Sequence, residues 1–226
     1  MCNIKSFIQP AMTTHSSDEP DSENGDIRLG PIESGDTPRF KELLVNNASP
    51  RNLRIFSPAS ADGLFYVVNS SFTLNTPHVT LYAGPDKSGP VLGVAYLNHI
   101  GGNTVGIGDP KSNINSMVWE RLSRASKWTH STYQFEYIFG EEGRKSFIWQ
   151  RLRPKVFDDQ GDMELFEDGK PDVVLARYES VGVFKWKKRG KMLILDGYGD
   201  GWELMVLLTG LALVELSRRR ARQRRH

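Results

Sequence analysis

WELMVLLTGLALVELS, residues 202–217, decides how the rest of the chain is read. Apart from Glu203, Thr209, Glu215 and Ser217 it is apolar, and Gly210 is its single weak helix former. Asp200 stands where an N-cap belongs and Glu203 follows three residues later, the Asp form of a capping box. Arginines follow Ser217 and suit the negative end of a helix dipole. Apolar residues cover every side of this helix, which excludes a surface position with one wet face. The uncharged run from Leu204 to Val214 is well short of the ~20 residues a membrane span needs. A hydrophobic helix enclosed by protein is expected, and upstream sequence must supply the enclosure.

From about Leu53 the chain changes to short runs of β-branched and aromatic residues separated by turn residues. Strands are predicted at 53–57, 63–70, 78–83, 90–98, 103–108 and 115–122, then at 129–139, 144–152, 162–167, 172–179, 182–188 and 191–195. The clearest alternation is YQFEYIF, where Tyr133, Phe135, Tyr137 and Phe139 share one face. Turns are expected over Gly84–Gly89, Gly140–Gly143, at Asp168-Gly169 and at Arg189-Gly190. No convincing amphipathic helix separates the strands, so a βαβ fold is not expected. The fold class is mainly β: about twelve antiparallel strands closed into a barrel around a central hydrophobic C-terminal helix. Closure removes exposed edges, and about a dozen strands leave room for an axial helix. Roughly fifteen helical residues extend about 22 Å, close to the height of a barrel of tilted strands.

Charge is unevenly spread along the chain. Residues 1–50 carry four Lys/Arg against eight Asp/Glu, whereas 218–226 carry six Arg and no acid, which leaves the middle neutral. The arm 1–50 is polar, acidic and rich in turn formers, and reads as disordered, with a short helix around Arg39–Val45. Three regions follow: the arm over 1–50, a barrel over 51–217 with its core helix at 202–217, and a basic tail over 218–226. Cys2 is the only cysteine, so no intramolecular disulfide or cysteine metal cluster forms. No signal-like apolar run or transmembrane span is present, and Cys2 in place of a glycine excludes N-myristoylation. A cytoplasmic protein is expected, with peripheral membrane or nuclear placement open through the tail.

About twelve strands around a hydrophobic C-terminal helix resemble the tubby C-terminal-like fold, shared by tubby proteins, LURP-one-related proteins and phospholipid scramblases. The chain is most similar to a fungal family of uncharacterised tubby-like domains. The resemblance is carried by HVTLYAGPDKSGPVLGVAYL (78–97), FIWQRL around Trp149, DVVLARYE (172–179) and LLTGLALVELSRRRARQ (207–223), and covers roughly 60–222. It implies the barrel, and a binding role of the kind tubby proteins exert on phosphoinositides through a Lys/Arg pocket. The tubby signature sequences that would locate that pocket are missing here. Scramblases are associated with a calcium-binding segment and a palmitoylated cysteine cluster, and Cys2 alone makes no such cluster.

Two basic segments are candidate sites for an anionic headgroup. In KWKKRGKM, Lys185, Lys187, Lys188, Arg189 and Lys191 gather at an expected hairpin, with Phe184 and Trp186 packed inward and the lysines outward. The alternative is a solvated turn that guards a sheet edge. In the tail, Arg218, Arg219, Arg220, Arg222, Arg224 and Arg225 suit an anionic membrane, or serve only to keep the helix end soluble. Nucleic acid is disfavoured because no aromatic residue interleaves with these arginines.

The carboxylates Asp158, Asp159, Asp162, Glu164, Glu167, Asp168 and Asp172 lack calcium-loop spacing, as do Asp196, Asp200 and Glu203. The five histidines, His15, His78, His99, His130 and His226, are scattered, and no HExxH or GxSxG occurs. The glycines of 99–110 lack the strand-then-helix context of a phosphate loop. No cofactor, metal or catalytic residue is expected. The expected role is a non-catalytic binding module, peripheral to anionic phosphoinositide-containing membranes. The alternative is a scaffold that meets an unknown protein.

Overall fold

The computed structural model describes residues 39–60, 62–70, 76–98, 102–125, 131–152, 161–181 and 188–224. The expected disorder of the arm before Arg39 lies outside them. Twelve strands run in chain order: β1 (Phe40–Asn47), β2 (Leu53–Phe56), β3 (Gly63–Asn69), β4 (Val79–Ala83), β5 (Val91–Tyr96) and β6 (Asn103–Ile107), followed by β7 (Val118–Arg124), β8 (Thr132–Phe139), β9 (Gly143–Arg151), β10 (Met163–Glu167), β11 (Ala176–Ser180) and β12 (Lys188–Leu195). Each strand pairs antiparallel with its neighbours in sequence, and β1 pairs with β12 to close the barrel. Helix α1 (Asp200–Gln223) occupies the interior.

The period-two pattern explains which side chains point inward. Leu53 and Ile55 of β2, Val79 and Leu81 of β4, and Met163 and Leu165 of β10 are all at most 2 % exposed. The helix meets them with Met205, Val206, Leu208, Leu211 and Ala212, which are equally buried on every side. Trp202 enters an aromatic nest, with Phe147 at 4.4 Å, Phe139 at 5.1 Å and Tyr137 at 5.5 Å between ring centroids. Midway along, Trp149 Nε1 donates to Thr209 Oγ1 at 3.0 Å, and that hydroxyl donates to Met205 O at 2.8 Å. Each fully buried Leu, Val or Met contributes on the order of 1.5–3 kcal/mol, so the helix is a large share of the core.

The structure corrects the sequence reading in four places. The arm does not extend to residue 50: Phe40–Asn47 is a strand, not a helical turn, with Leu43 and Val45 pointing inward. Lys, Glu and Leu favour a helix there locally, but pairing with β12, remote in sequence, overrides propensity. Secondly, Arg189-Gly190 is not a hairpin turn. Both lie within β12, which runs from Lys188 through the expected turn into the strand predicted at 191–195, and 182–187 falls outside the described residues. The twelve strands among the described residues thus include β1, which the sequence reading assigned to the arm.

Thirdly, Asp200 is not the N-cap. Gly199 takes that position with φ 84°, a conformation glycine adopts freely, and Asp200 sits in the first turn, where its charge favours the dipole. Glu203 accepts from Lys41 Nζ at 2.5 Å, tying β1 to the helix in place of a capping box. Fourthly, the helix does not stop at Ser217. It runs to Gln223, and its 24 residues extend about 36 Å, beyond the height of the strands. The basic tail is mostly helix.

One seam is short. The β7–β8 ladder is limited to Ser123↔Gln134 and Arg124↔Tyr133. Alongside it lies Glu120, 3 % exposed, whose carboxylate accepts from Arg144 of β9 while the same guanidinium also holds Glu136 of β8. Burial raises the Glu120 pKa above its ordinary 4.5, with Arg144 opposing and Glu136 reinforcing the shift.

Candidate anion-binding end of the barrel

Because the strands alternate in direction, odd-numbered strands end and even-numbered strands begin at one end of the barrel. The C-terminal turns of α1 emerge there. Its side chains at 215, 218 and 222 form one stripe and those at 216, 219, 220 and 223 another, as helical spacing of three and four dictates. Each stripe meets a different wall.

On the first stripe, Glu215 is 2 % exposed and accepts from three arginines: Arg218 at 3.1 Å, Arg219 at 3.2 Å and Arg222 at 3.0 Å. Arg218 also donates to the carbonyls of Pro50 at 2.7 Å and Arg51 at 3.1 Å, fastening the helix to the β1–β2 turn. Arg219 reaches Ser70 O at 2.5 Å, at the end of β3. Arg151 of β9 donates to Leu213 O at 3.1 Å and to the Ser217 hydroxyl. Burial, and then the nearby Arg189, push the Arg218 pKa down to about 10, against the pull of Glu215. Arg218 therefore stays charged at neutral pH.

Arg189 arrives here through a bulge. The β1–β12 register runs Val45↔Gly190 and then Asn46↔Lys188, which leaves Arg189 as the extra residue. A Cβ on Gly190 would collide with Glu179 O and sit 2.8 Å from the Tyr178 hydroxyl, so glycine is required by close approach rather than by a turn. The half-buried Arg189 guanidinium has its pKa lowered, chiefly by burial, and its Nε has no hydrogen-bond partner.

The second stripe faces a cleft of about 560 Å³. Its walls carry Arg121 and Arg124 of β7, Asn103 of β6, and Arg219, Arg220 and Gln223 of α1. Arg220 donates to the Tyr133 hydroxyl, and its guanidinium lies over that ring at 5.7 Å. Asn103 is 8 % exposed; its Nδ2 donates to Leu122 O at 3.2 Å, and its buried Oδ1 accepts from nothing. An unmet buried acceptor costs about 1–3 kcal/mol. No carboxylate, histidine or cysteine is among the described lining residues. The described walls offer positive charge and donors.

The sequence candidates are thus divided. Arg218, Arg219, Arg220 and Arg222 are gathered with Arg189 at one barrel end, where Arg224 is the exposed C-cap. Lys191 instead pairs with Glu179 at 3.2 Å. Lys185, Lys187, Arg225 and the Lys188 side chain lie outside the described residues. Arg121, Arg124 and Asn103 were not singled out from sequence; the one available signal was Arg121 near the end of the predicted strand over 115–122, with Arg124 just beyond it. Among the carboxylates, Glu164 pairs with Arg177 at 2.5 Å, Glu167 with Lys170 at 3.1 Å, and Asp162 accepts from Ser180 N at 2.9 Å. His78 Nδ1 accepts from Leu97 N at 2.8 Å.

Comparison with protein-family models, curated proteins and solved structures finds no match to this chain. No helix among the described residues is long and apolar enough to cross a membrane.

Proposed function

We propose that this protein is a non-catalytic binding module whose arginine-bearing barrel end attaches to anionic membrane headgroups, phosphoinositides among them. One observation carries the reading: arginines from β7 and from the last turns of α1 line a single cleft that has no carboxylate in its described walls. Guanidinium groups match phosphate oxygens in pairs and keep their charge at all physiological pH. The tubby-like resemblance supports the same class of ligand without supplying a residue.

The test is co-sedimentation with neutral and phosphoinositide-containing vesicles, at low and physiological salt. Binding is expected only to the anionic vesicles, weaker at the higher salt and lost in Arg121→Glu/Arg124→Glu. Absence of binding at low salt would overturn the reading. A scaffold for another protein is favoured by a different observation: Ile114, Val118 and Ile138, between 46 and 60 % exposed, stand near the opposite barrel end. Capture through that patch should be indifferent to salt.

A further inference from the structure

Two Ser-Pro steps flank β2, Ser49-Pro50 before it and Ser57-Pro58 after it. Ser49 is half-buried between the exposed Ala48 and Pro50, in the turn that joins β1 to β2. Its hydroxyl oxygen accepts from the backbone N–H of Asn52 at 3.0 Å and of Arg51 at 3.3 Å. The next two carbonyls along the chain, of Pro50 and Arg51, are held by Arg218 of α1 at 2.7 and 3.1 Å. Backbone donors and a guanidinium therefore converge on the peptide units beside this one hydroxyl. Charge behind the turn is out of balance. Arg189, Arg218, Arg219 and Arg222 gather round a single buried carboxylate, Glu215, and Arg189 helps to push the Arg218 pKa down.

From this arrangement we infer that Ser49 is a phosphorylation site, the substrate of a proline-directed protein kinase, and that Arg218 receives the phosphate and so locks the end of α1 to the β1–β2 turn. Ser49 Oγ attacks the γ-phosphorus of a nucleoside triphosphate. One P–O bond forms, the bond to the nucleoside diphosphate breaks, and the hydroxyl proton passes to the kinase's aspartate base. The product carries about −1.5 to −2 charge at pH 7 and three strong acceptor oxygens, the complement of an arginine cluster short of carboxylates. Pro50 has no N–H to satisfy, so the step after the acceptor serine enters a kinase cleft with no donor left unpaired. Ser57 provides the contrast. It follows β2 at the other end of the barrel, away from the α1 arginines, and its hydroxyl accepts from Ala59 N at 3.3 Å. The phosphate sits on the chain itself and outside the cleft, so the inference does not rest on the anion-binding reading.

Two measurements on the full chain test it. The folded protein is incubated with ATP and either a mitogen-activated or a cyclin-dependent kinase, with Ser49→Ala as control, and the sites are mapped by mass spectrometry. Separately, phosphoserine is installed genetically in place of Ser49 or of Ser57, and melting is followed by scanning calorimetry. Ser49 is expected to be phosphorylated, with incorporation reduced in Ser49→Ala. Phosphoserine at position 49 should raise the melting temperature by about 3 °C or more, and at position 57 it should leave it within about 1 °C. The gain at position 49 should vanish in Arg218→Gln. Failure of both kinases to modify Ser49 overturns the inference, as does a melting temperature that falls or stays level with phosphoserine there. Equal shifts at positions 49 and 57 also overturn it, a comparison that stands whether or not Arg218→Gln folds. A gain that survives Arg218→Gln overturns the role given to that arginine.

Discussion

At the scale of single residues, two buried carboxylates behave in opposite ways. Glu215 is surrounded by Arg218, Arg219 and Arg222, with Arg189 close by, so its removal leaves positive groups facing one another in a confined space. Breaking a buried pair from one side typically costs about 3–5 kcal/mol, and Glu215→Gln is expected to fall near the lower figure because Arg222 is 45 % exposed and can turn to water. Urea denaturation of the two proteins measures it; a loss below about 1 kcal/mol would mean the arginines are held by their carbonyl contacts alone. Glu120 is the contrary case. Its folded pKa lies above 4.5, so the stability it contributes is present at low pH and is lost as pH rises through the folded value. The stability of the wild type relative to Glu120→Gln should therefore decline as pH rises above 4.5. A gap that instead widens in favour of the wild type would show the Arg144 pair outweighing burial.

At the scale of elements, the glycines set how closely α1 and the sheet approach. A Cβ on Gly93 would sit 2.7 Å from Leu208 Cδ2 and 2.9 Å from Gly106 O, the second a backbone atom that cannot swing aside. Gly93→Ala should cost about 1–3 kcal/mol by overpacking. Thr209→Val keeps the volume of α1 but strands the Trp149 N–H, and should cost about 1–3 kcal/mol in the same denaturation assay. Alternation and turn chemistry made most strands, and the enclosed helix, legible in the sequence. What could not be read depended on partners distant along the chain. Phe40–Asn47 is a strand because β12 lies beside it, and Arg189-Gly190 has turn residues because Tyr178 and Glu179 press on the backbone there. The cleft was hidden for a related reason: β7 and β12 stand five strands apart round the ring, so Arg189 and Lys191 of the conspicuous basic segment and the β7 arginines of the pocket occupy nearly opposite walls. Only the helix end, which the sequence reading left as a free tail, reaches toward both.

At the scale of the whole molecule, closure is the single long-range step in an otherwise sequential meander. Phe40 pairs with Leu195, whereas every other ladder joins strands adjacent in the chain. Removing the chain through Asn47 would expose the edges of β2 and β12. Such a protein is expected to lose cooperative melting and to aggregate, as scanning calorimetry and light scattering would show. A retained sharp transition would mean the sheet reseals between β2 and β12. The order of the elements also has a consequence for how the protein is made. All twelve strands leave the ribosome before the segment that fills them, so the nascent chain must carry a hollow, sticky sheet until the last residues of α1 are released. A ribosome that stalls or terminates early after Leu195 would deliver walls without a core, a natural client for chaperones or for degradation.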